Sequence, residues 1–361
     1  MASDYSRRAS RQLMLGSVPV GGNSPVSIQS MTNTITADAS ATVAQIQALA
    51  AKGCQIIRVA AAEITDVQAL PQITSLSPIP VVADIHFDYR LAVGAMEAGV
   101  AGLRINPGNI GAPWKVKEVV SVAKERRIPI RIGVNGGSLE RSLLDKYGGP
   151  TAAALVESAL NHIHILEDLD YREMKLSLKS SSVPVMLAAY REIAAQTDYP
   201  LHLGVTETGL PSQGIVKSAV GVGALLAEGI GDTIRVSLTG DPMEEIAAAR
   251  QILTALELIP AGLQIIACPT CGRTRVDLPS LVQSAEQKFA ALALPAGRSL
   301  TLAIMGCAVN GPGEAREADF GIACGKEGGL LFAAGKPLKH LPETELVDAL
   351  YDLVTSRLSD A

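Results

Sequence analysis

Val81-Val82-Ala83-Asp84-Ile85-His86 and, one helix length later, Gly102-Leu103-Arg104-Ile105-Asn106 are the stretches that decide the fold. Each is a short apolar strand ending in two polar residues at i and i+2, a spacing that puts both on one face of an extended chain. The same grammar runs outward in both directions. Up to about residue 255, Val/Ile/Leu runs alternate with Ala-rich segments of helical period, which is the mark of repeated βα units. Candidate strands lie near Val26–Ser30, Ile56–Val59, Val81–Ile85, Gly102–Ile105, Ile128–Gly133, Met174–Leu178, Leu201–Val205 and Thr233–Leu238. Eight units in roughly 250 residues have the size of a (β/α)8 TIM-type barrel. A doubly wound open sheet would leave much the same pattern, so closure is not legible in the periodicity.

Polar residues at the strand ends favour the barrel, because barrel enzymes build their sites on the C-terminal rim. The second strand brings Arg58, the third Asp84 and His86, the fourth Arg104 and Asn106, and the eighth Arg235 and Ser237. The fifth supplies Arg131 and runs into Asn135, the sixth is followed by Lys179, and the seventh by Thr206 and Glu207. Charge thus converges on one face. Between the fifth and sixth strands, Thr151–Asp170 reads as a helix with His162 and His164 on different faces.

After a helix over Asp241–Ile259, Pro260-Ala261-Gly262 reads as a linker, and a different pattern begins. Strand-like runs at Leu263–Ala267, Leu300–Ile304, Phe320–Ala323 and Gly329–Ala333, with helices near Leu278–Leu292 and Glu343–Ser359, predict a smaller α+β domain. The expected division is a barrel over 1–259 and a second domain over 260–361.

A formal net charge of −5 and 3% aromatic residues argue against a nucleic-acid surface. Five cysteines in 361 residues do not have the density of a disulfide scaffold, and no apolar run approaches the ~20 residues that span a bilayer. Arg7-Arg8 reads as a solvated basic pair and not as part of a signal peptide, since no continuous apolar stretch follows it. The expected location is the cytoplasm.

The sharpest local signal is Cys268-Pro269-Thr270-Cys271, where a strand emerges into a C-x2-C turn. Alone, it could serve a zinc knuckle, a redox pair or an iron–sulfur cluster. Cys307, framed by glycines in Met305-Gly306-Cys307-Ala308-Val309-Asn310-Gly311-Pro312-Gly313-Glu314, is the nearby solitary thiol. Three thiolates and one open corner suit an iron–sulfur cluster, with Glu314 the best candidate for the corner. A structural zinc site with a surface glutamate is the plainer alternative. Cys54 reads as a buried inert thiol, and Cys324 as an alternative to Cys307.

Taken together, these residues resemble the bacterial two-domain form of the 4-hydroxy-3-methylbut-2-enyl diphosphate synthase family. The resemblance rests on Ser27–Thr34, Ala83–Arg90, Arg104–Asn109, Gly133–Leu139, Leu203–Glu207 and Gly229–Ser237, and above all on Ala267–Cys271 with Gly306–Glu314. It implies a [4Fe–4S] cluster held by Cys268, Cys271, Cys307 and Glu314. It also implies reductive ring opening and dehydration of 2-C-methyl-D-erythritol 2,4-cyclodiphosphate, driven by reduced flavodoxin or ferredoxin. The family is usually a head-to-tail homodimer in which one chain's cluster domain caps the other's barrel. On this reading Arg58, Arg104, Arg131, Lys179 and Arg235 hold the cyclic diphosphate, with Asn135, Thr206, Ser237 and Asn310 as neutral donors. Asp84, His86 and Glu207 are then the candidate proton handlers. The competing expectation is a non-redox, dihydropteroate-synthase-like phosphate barrel with a structural zinc domain.

Overall fold

The computed structural model describes residues 6–292, 294–295, 299–307, 318–325 and 328–359. The chain divides into two compact units, Met1–Ile259 and Pro260–Ala361. No described helix is long and apolar enough to cross a membrane.

The first unit opens with an antiparallel hairpin, β1 (Leu13–Leu15) and β2 (Val18–Val20). Eight parallel strands follow: β3 (Ser27–Met31), β4 (Ile56–Ala60), β5 (Val81–Asp84), β6 (Gly102–Ile105), β7 (Ile130–Asn135), β8 (Met174–Lys179), β9 (His202–Leu203) and β10 (Thr233–Ile234). Their order is β8-β7-β6-β5-β4-β3-β10-β9, and a parallel bridge from Leu176 to Leu201 joins the two ends, closing the barrel. The last two strands are shorter than predicted. The ladder nevertheless continues past them irregularly, Arg235 N–H donating to Leu203 O at 2.9 Å and Thr206 N–H to Ser180 O at 3.3 Å.

Period-two alternation determines what lies on each side of this wall. Ile57 and Val59, Ala83 and Ile85, Leu103 and Ile105, Ile130 and Ile132, Leu176 and Leu178, and Leu201 and Leu203 belong to one apolar cluster shared with the surrounding helices. The alternate residues therefore face the lumen, and most of them are polar. A barrel of this type ordinarily fills its interior with branched apolar side chains; here they remain only at the floor. Leu13, Leu15 and Val20 of the hairpin pack there on Ile56 and Val82. Gly102 makes room for this plug, since a Cβ on it would lie 2.5 Å from Leu15 Cδ2.

The segment before the hairpin corrects one expectation, because Arg7 and Arg8 are not a solvated pair. Arg7 Nη2 lies 3.1 Å from Asp232 Oδ1 and donates to Gly231 O at 3.2 Å. Arg8 donates to the carbonyls of Ala194, Thr197 and Tyr199. Backbone carbonyls left bare where helices end near the barrel floor attract the guanidinium groups, and composition alone does not show this.

The second unit is a five-stranded mixed sheet in the order β11 (Leu263–Ala267), β12 (Leu300–Met305), β13 (Phe320–Gly325), β14 (Gly328–Ala333) and β15 (Lys336–Leu341). Its first three strands are parallel and its last three antiparallel neighbours. Helices Leu278–Phe289 and Leu346–Ser359 bury Leu281, Phe289, Leu350 and Val354 against it. The outer strand β15 is mostly exposed and rich in lysine, so it lacks the apolar alternation by which a strand is read.

Candidate active site

The lumen brings together six cations: Arg58, Arg104, Arg131, Lys175, Lys179 and Arg235. Among the described residues of the strands that wall the lumen, the carboxylate is Asp84, at the end of β5. Arg104 Nη1 approaches its Oδ1 at 3.1 Å, and Arg58 Nε its Oδ2 at 3.6 Å. Burial alone would raise the Asp84 pKa, but Arg58, the neighbouring His86 and Arg104 overcome it and hold the carboxyl well below the usual range. A second carboxylate, Glu245, reaches in from helix Pro242–Ala255, 3.4 Å from Arg235, and accepts from Ser30 Oγ at 2.9 Å.

Arg104 is the best-anchored cation. Its Nη2 donates to Gly133 O at 2.9 Å, and its Nη1 lies 2.9 Å from His86 Nε2. Arginine only donates, so this ring nitrogen is the acceptor. With its amide oxygen turned inward, Asn135 also accepts from Arg104 Nη2 at 3.1 Å. Asn135 thus also positions a guanidinium, beside the neutral-donor role that the sequence reading gives it. Gly133 is required here, because a Cβ on it would stand 2.3 Å from Arg104 Nε.

Other lumen cations have no ion-pair partner among the described residues. Arg131 is 2% exposed, and its Nε and Nη1 have no partner among the described residues; Lys175 Nζ is likewise alone. Burial, with Arg58 and Arg104 close by, depresses the Arg131 pKa, and burial pushes Lys179 well below the ordinary lysine value. Arg58 falls to about 10 for the same principal reason. Buried, unsatisfied cations of one sign are what a multiply charged anion would complete.

The structure separates the three proton-handling candidates. Asp84 and His86 stand together, 3.7 Å apart, with His86 half exposed at the mouth. Glu207 follows β9, four strands from β5 in either direction around the ring, so it rises from the opposite wall. It is exposed and takes φ +54°, a conformation costly for a side chain with a Cβ. Thr206 and Ser237 flank the same side of the mouth, the Ser237 carbonyl accepting from Thr208 Oγ1. Lys175, His202 and Glu245 escaped the sequence reading. The first was visible as the other lysine of the alternating Lys175-Leu176-Ser177-Leu178-Lys179, whereas nothing in the sequence ties Glu245 to Arg235.

In the second unit, Cys268 directly follows β11, and Cys307 lies two residues beyond the neighbouring parallel β12. Gly306 N–H donates to Cys268 Sγ at 3.2 Å. Cys271 sits in an exposed turn closed by Thr274 N–H to Cys271 O at 2.9 Å, and Arg273 beside it lowers the thiol pKa. Three thiols and a backbone N–H aimed at sulfur form a donor set that fits a soft iron–sulfur centre. No three His, Cys, Asp or Glu side chains among the described residues are gathered into a ready ion site. Glu314 and Asn310 lie outside the described residues. Cys54 is buried, and desolvation raises its thiol to about 11; Cys324 is buried in the sheet and raised to about 11 in the same way.

The chain is thus a (β/α)8 barrel with a cation-lined lumen, followed by a cysteine-bearing α+β domain. Known proteins give that class a family. Residues 10–250 match the GcpE TIM-barrel domain and residues 264–356 the GcpE protein C-terminal domain, and the chain belongs to the GcpE family. It is 55% identical over 350 residues to the 4-hydroxy-3-methylbut-2-en-1-yl diphosphate synthase (flavodoxin) of Geobacter sulfurreducens, covering 97% of this chain and 98% of that one. The similarly named protein of Clostridium perfringens is 52% identical over 349 residues, covering 97% and 99%. Among solved structures, Yersinia pestis dihydropteroate synthase superposes with a TM-score of 0.50 at 11% identity, over 68% of this chain and 98% of that one. Geobacillus kaustophilus 3-dehydroquinate dehydratase gives 0.50 at 14%, over 70% and 98%. Likeness at that level concerns the barrel alone and lends nothing to a dihydropteroate-synthase-like chemistry.

Proposed function

We propose that this chain is a cytoplasmic oxidoreductase that opens the ring of 2-C-methyl-D-erythritol 2,4-cyclodiphosphate to give 4-hydroxy-3-methylbut-2-enyl diphosphate. Two electrons enter, a ring carbon–oxygen bond breaks, and one hydroxyl leaves as water. The observation that carries the reading is the lumen in which six cations meet two carboxylates, in a chain whose relatives bear the name of this synthase. Reduced flavodoxin, named in those relatives, or ferredoxin is the electron donor.

Cys268, Cys271 and Cys307, with Glu314 as exchangeable fourth ligand, would hold a [4Fe–4S] cluster. When bound, it would supply single electrons and Lewis acidity. The remaining work falls to side chains. Arg58, Arg104, Arg131, Lys179 and Arg235 bind the diphosphate, and Asn135, Thr206, Ser237 and Asn310 orient it. His86, beside Asp84, would hold a proton on one wall and Glu207 on the other, so the two sides of the ring can be served separately. Capping by a second chain, head to tail, would exclude water and strengthen these charge pairs. Exposed Ile35, Ile64, Phe87, Trp114 and Leu210, each following a barrel strand at its C-terminal end, support such a cover.

The test is anaerobic reconstitution with iron and sulfide, then turnover of the cyclodiphosphate with a strong one-electron reductant. Roughly four irons per chain and the linear diphosphate product are expected. Glu314→Ala should retain the iron and lose turnover. Tight stoichiometric zinc without product would overturn the proposal.

A further inference from the structure

We infer that the anion site has a second tier below the mouth of the barrel, where Lys175 joins Arg131 as a further phosphate-facing group. The inference rests on the phosphate reading of the lumen given above. Strands β7 and β8 pair Arg131 directly with Lys175. The outward turn of Ile130, Ile132, Met174 and Leu176 into the helix-facing core sends both cations inward. Each is 2% exposed, and on the next strand His202 is fully buried. Arg131 Nε and Nη1, Lys175 Nζ and both ring nitrogens of His202 have no hydrogen-bond partner among the described residues.

Among the described residues, the carboxylates nearest this tier are engaged with other cations. Asp84 is shared by Arg104 and Arg58 at 3.1 and 3.6 Å, Glu245 faces Arg235 at 3.4 Å, and Asp232 faces Arg7 at 3.1 Å. Two like charges on paired strands repel, and removal from water magnifies the repulsion. A scaffold gains nothing from such a pair, since an apolar side chain of the same length would pack there without penalty. A polyanion reverses the balance: its oxygens accept from the unused donors, and its charge turns mutual repulsion into shared attraction. The guanidinium offers a planar fork and the ammonium a compact point charge, so the two can grip different oxygens of one phosphate. The chemical class of ligand is therefore a small phosphate-type oxyanion reaching past the rim residues.

The test titrates inorganic diphosphate into the full-length chain by calorimetry and records unliganded thermal melts, for wild type and Lys175→Met. Methionine keeps the stem and removes the charge. Affinity should fall by roughly tenfold or more, the loss of one charge-assisted contact, while the unliganded melting temperature rises because a repelling buried charge is gone. These opposite signs are not what a scaffold residue produces. Lys175→Gln, should the methionine variant fail to fold, carries the same expectation. Unchanged affinity overturns the second tier, whatever happens to stability. If the wild-type chain itself binds no diphosphate, the phosphate reading of the lumen falls, and this inference with it.

Discussion

Arg104 and Asp84 face each other from paired strands, Nη1 3.1 Å from Oδ1, while the other nitrogen of the same guanidinium donates to Gly133 O at 2.9 Å. Asp84 is thus the keystone of the cationic wall, touching two of its arginines. Asp84→Asn keeps the shape and removes the charge, leaving Arg58 and Arg104 uncompensated in a buried site. Breaking a buried pair in this way costs about 3–5 kcal/mol, which urea denaturation of the unliganded chain should show. Inorganic diphosphate should recover part of that loss by supplying the missing negative charge.

Gly133→Ala tests the room reserved for Arg104. The added methyl would meet Arg104 Nε at 2.3 Å, so the guanidinium must leave its seat between Asp84 and the Gly133 carbonyl. Overpacking of this kind costs about 1–3 kcal/mol. Diphosphate affinity should fall with it, and calorimetry on the folded variant separates the two effects.

Acid sensitivity has an identifiable source outside the lumen. Buried His162 Nε2 lies 3.1 Å from Glu140 Oε1, and this hydrogen bond, against partial burial, brings the Glu140 carboxyl down to about 2. An unfolded glutamate titrates near ~4.3, so the folded value is the lower one. The contribution to stability is fully present above that pH and fades as pH falls toward 2. Glu140→Gln should flatten the loss of stability across that interval, with a modest amplitude because the carboxylate is partly exposed. Denaturation midpoints at stepped pH would show an unaltered slope if the pair contributes nothing.

Thiol reactivity should rank the cysteines. Cys271 is exposed, with its pKa lowered by Arg273, whereas Cys54 and Cys324 are buried and raised to about 11. Limited alkylation of the reduced, cluster-free chain near neutral pH should modify Cys271 first and leave Cys54 and Cys324 until unfolding. Peptide mass spectrometry reads the order directly.

Asp232 tests the floor of the barrel. One oxygen faces Arg7 at 3.1 Å and Ser10 Oγ at 2.9 Å, and the other accepts from Leu201 N–H at 2.8 Å. Asp232→Ala strips a partly buried guanidinium and the buried Leu201 N–H of their acceptor at once. A loss of about 1–3 kcal/mol in chemical denaturation is expected.

The barrel was readable because alternation writes it out: Leu176 and Leu178 against Lys175, Ser177 and Lys179 leave little doubt about which face meets the helices. Closure was not readable, since it depends on one bridge, Leu176 to Leu201, between residues whose local pattern is common to any parallel strand. The rim cations were found because i,i+2 spacing survives folding. Glu245 was missed because a helix phase does not reveal which strand end it reaches, and Glu207 was grouped with Asp84 because strand order gives no azimuth around a ring. β15 was missed because Lys336, Leu338 and Lys339 are exposed and carry no buried face to betray a strand.

The hairpin that floors the barrel has a consequence for how the chain is made. Arg7 and Arg8 find their acceptors at Gly231, Asp232, Ala194, Thr197 and Tyr199, separated from them in sequence by 186 to 225 residues. Arg7 and Arg8 can dock only after the last barrel strands have been synthesised. Loop closure over that span must precede any gain from it, so the docking of Arg7 and Arg8 is a late event of barrel assembly. A bulky amino-terminal fusion should therefore slow refolding far more than a carboxy-terminal one, although it leaves every residue of the lumen untouched.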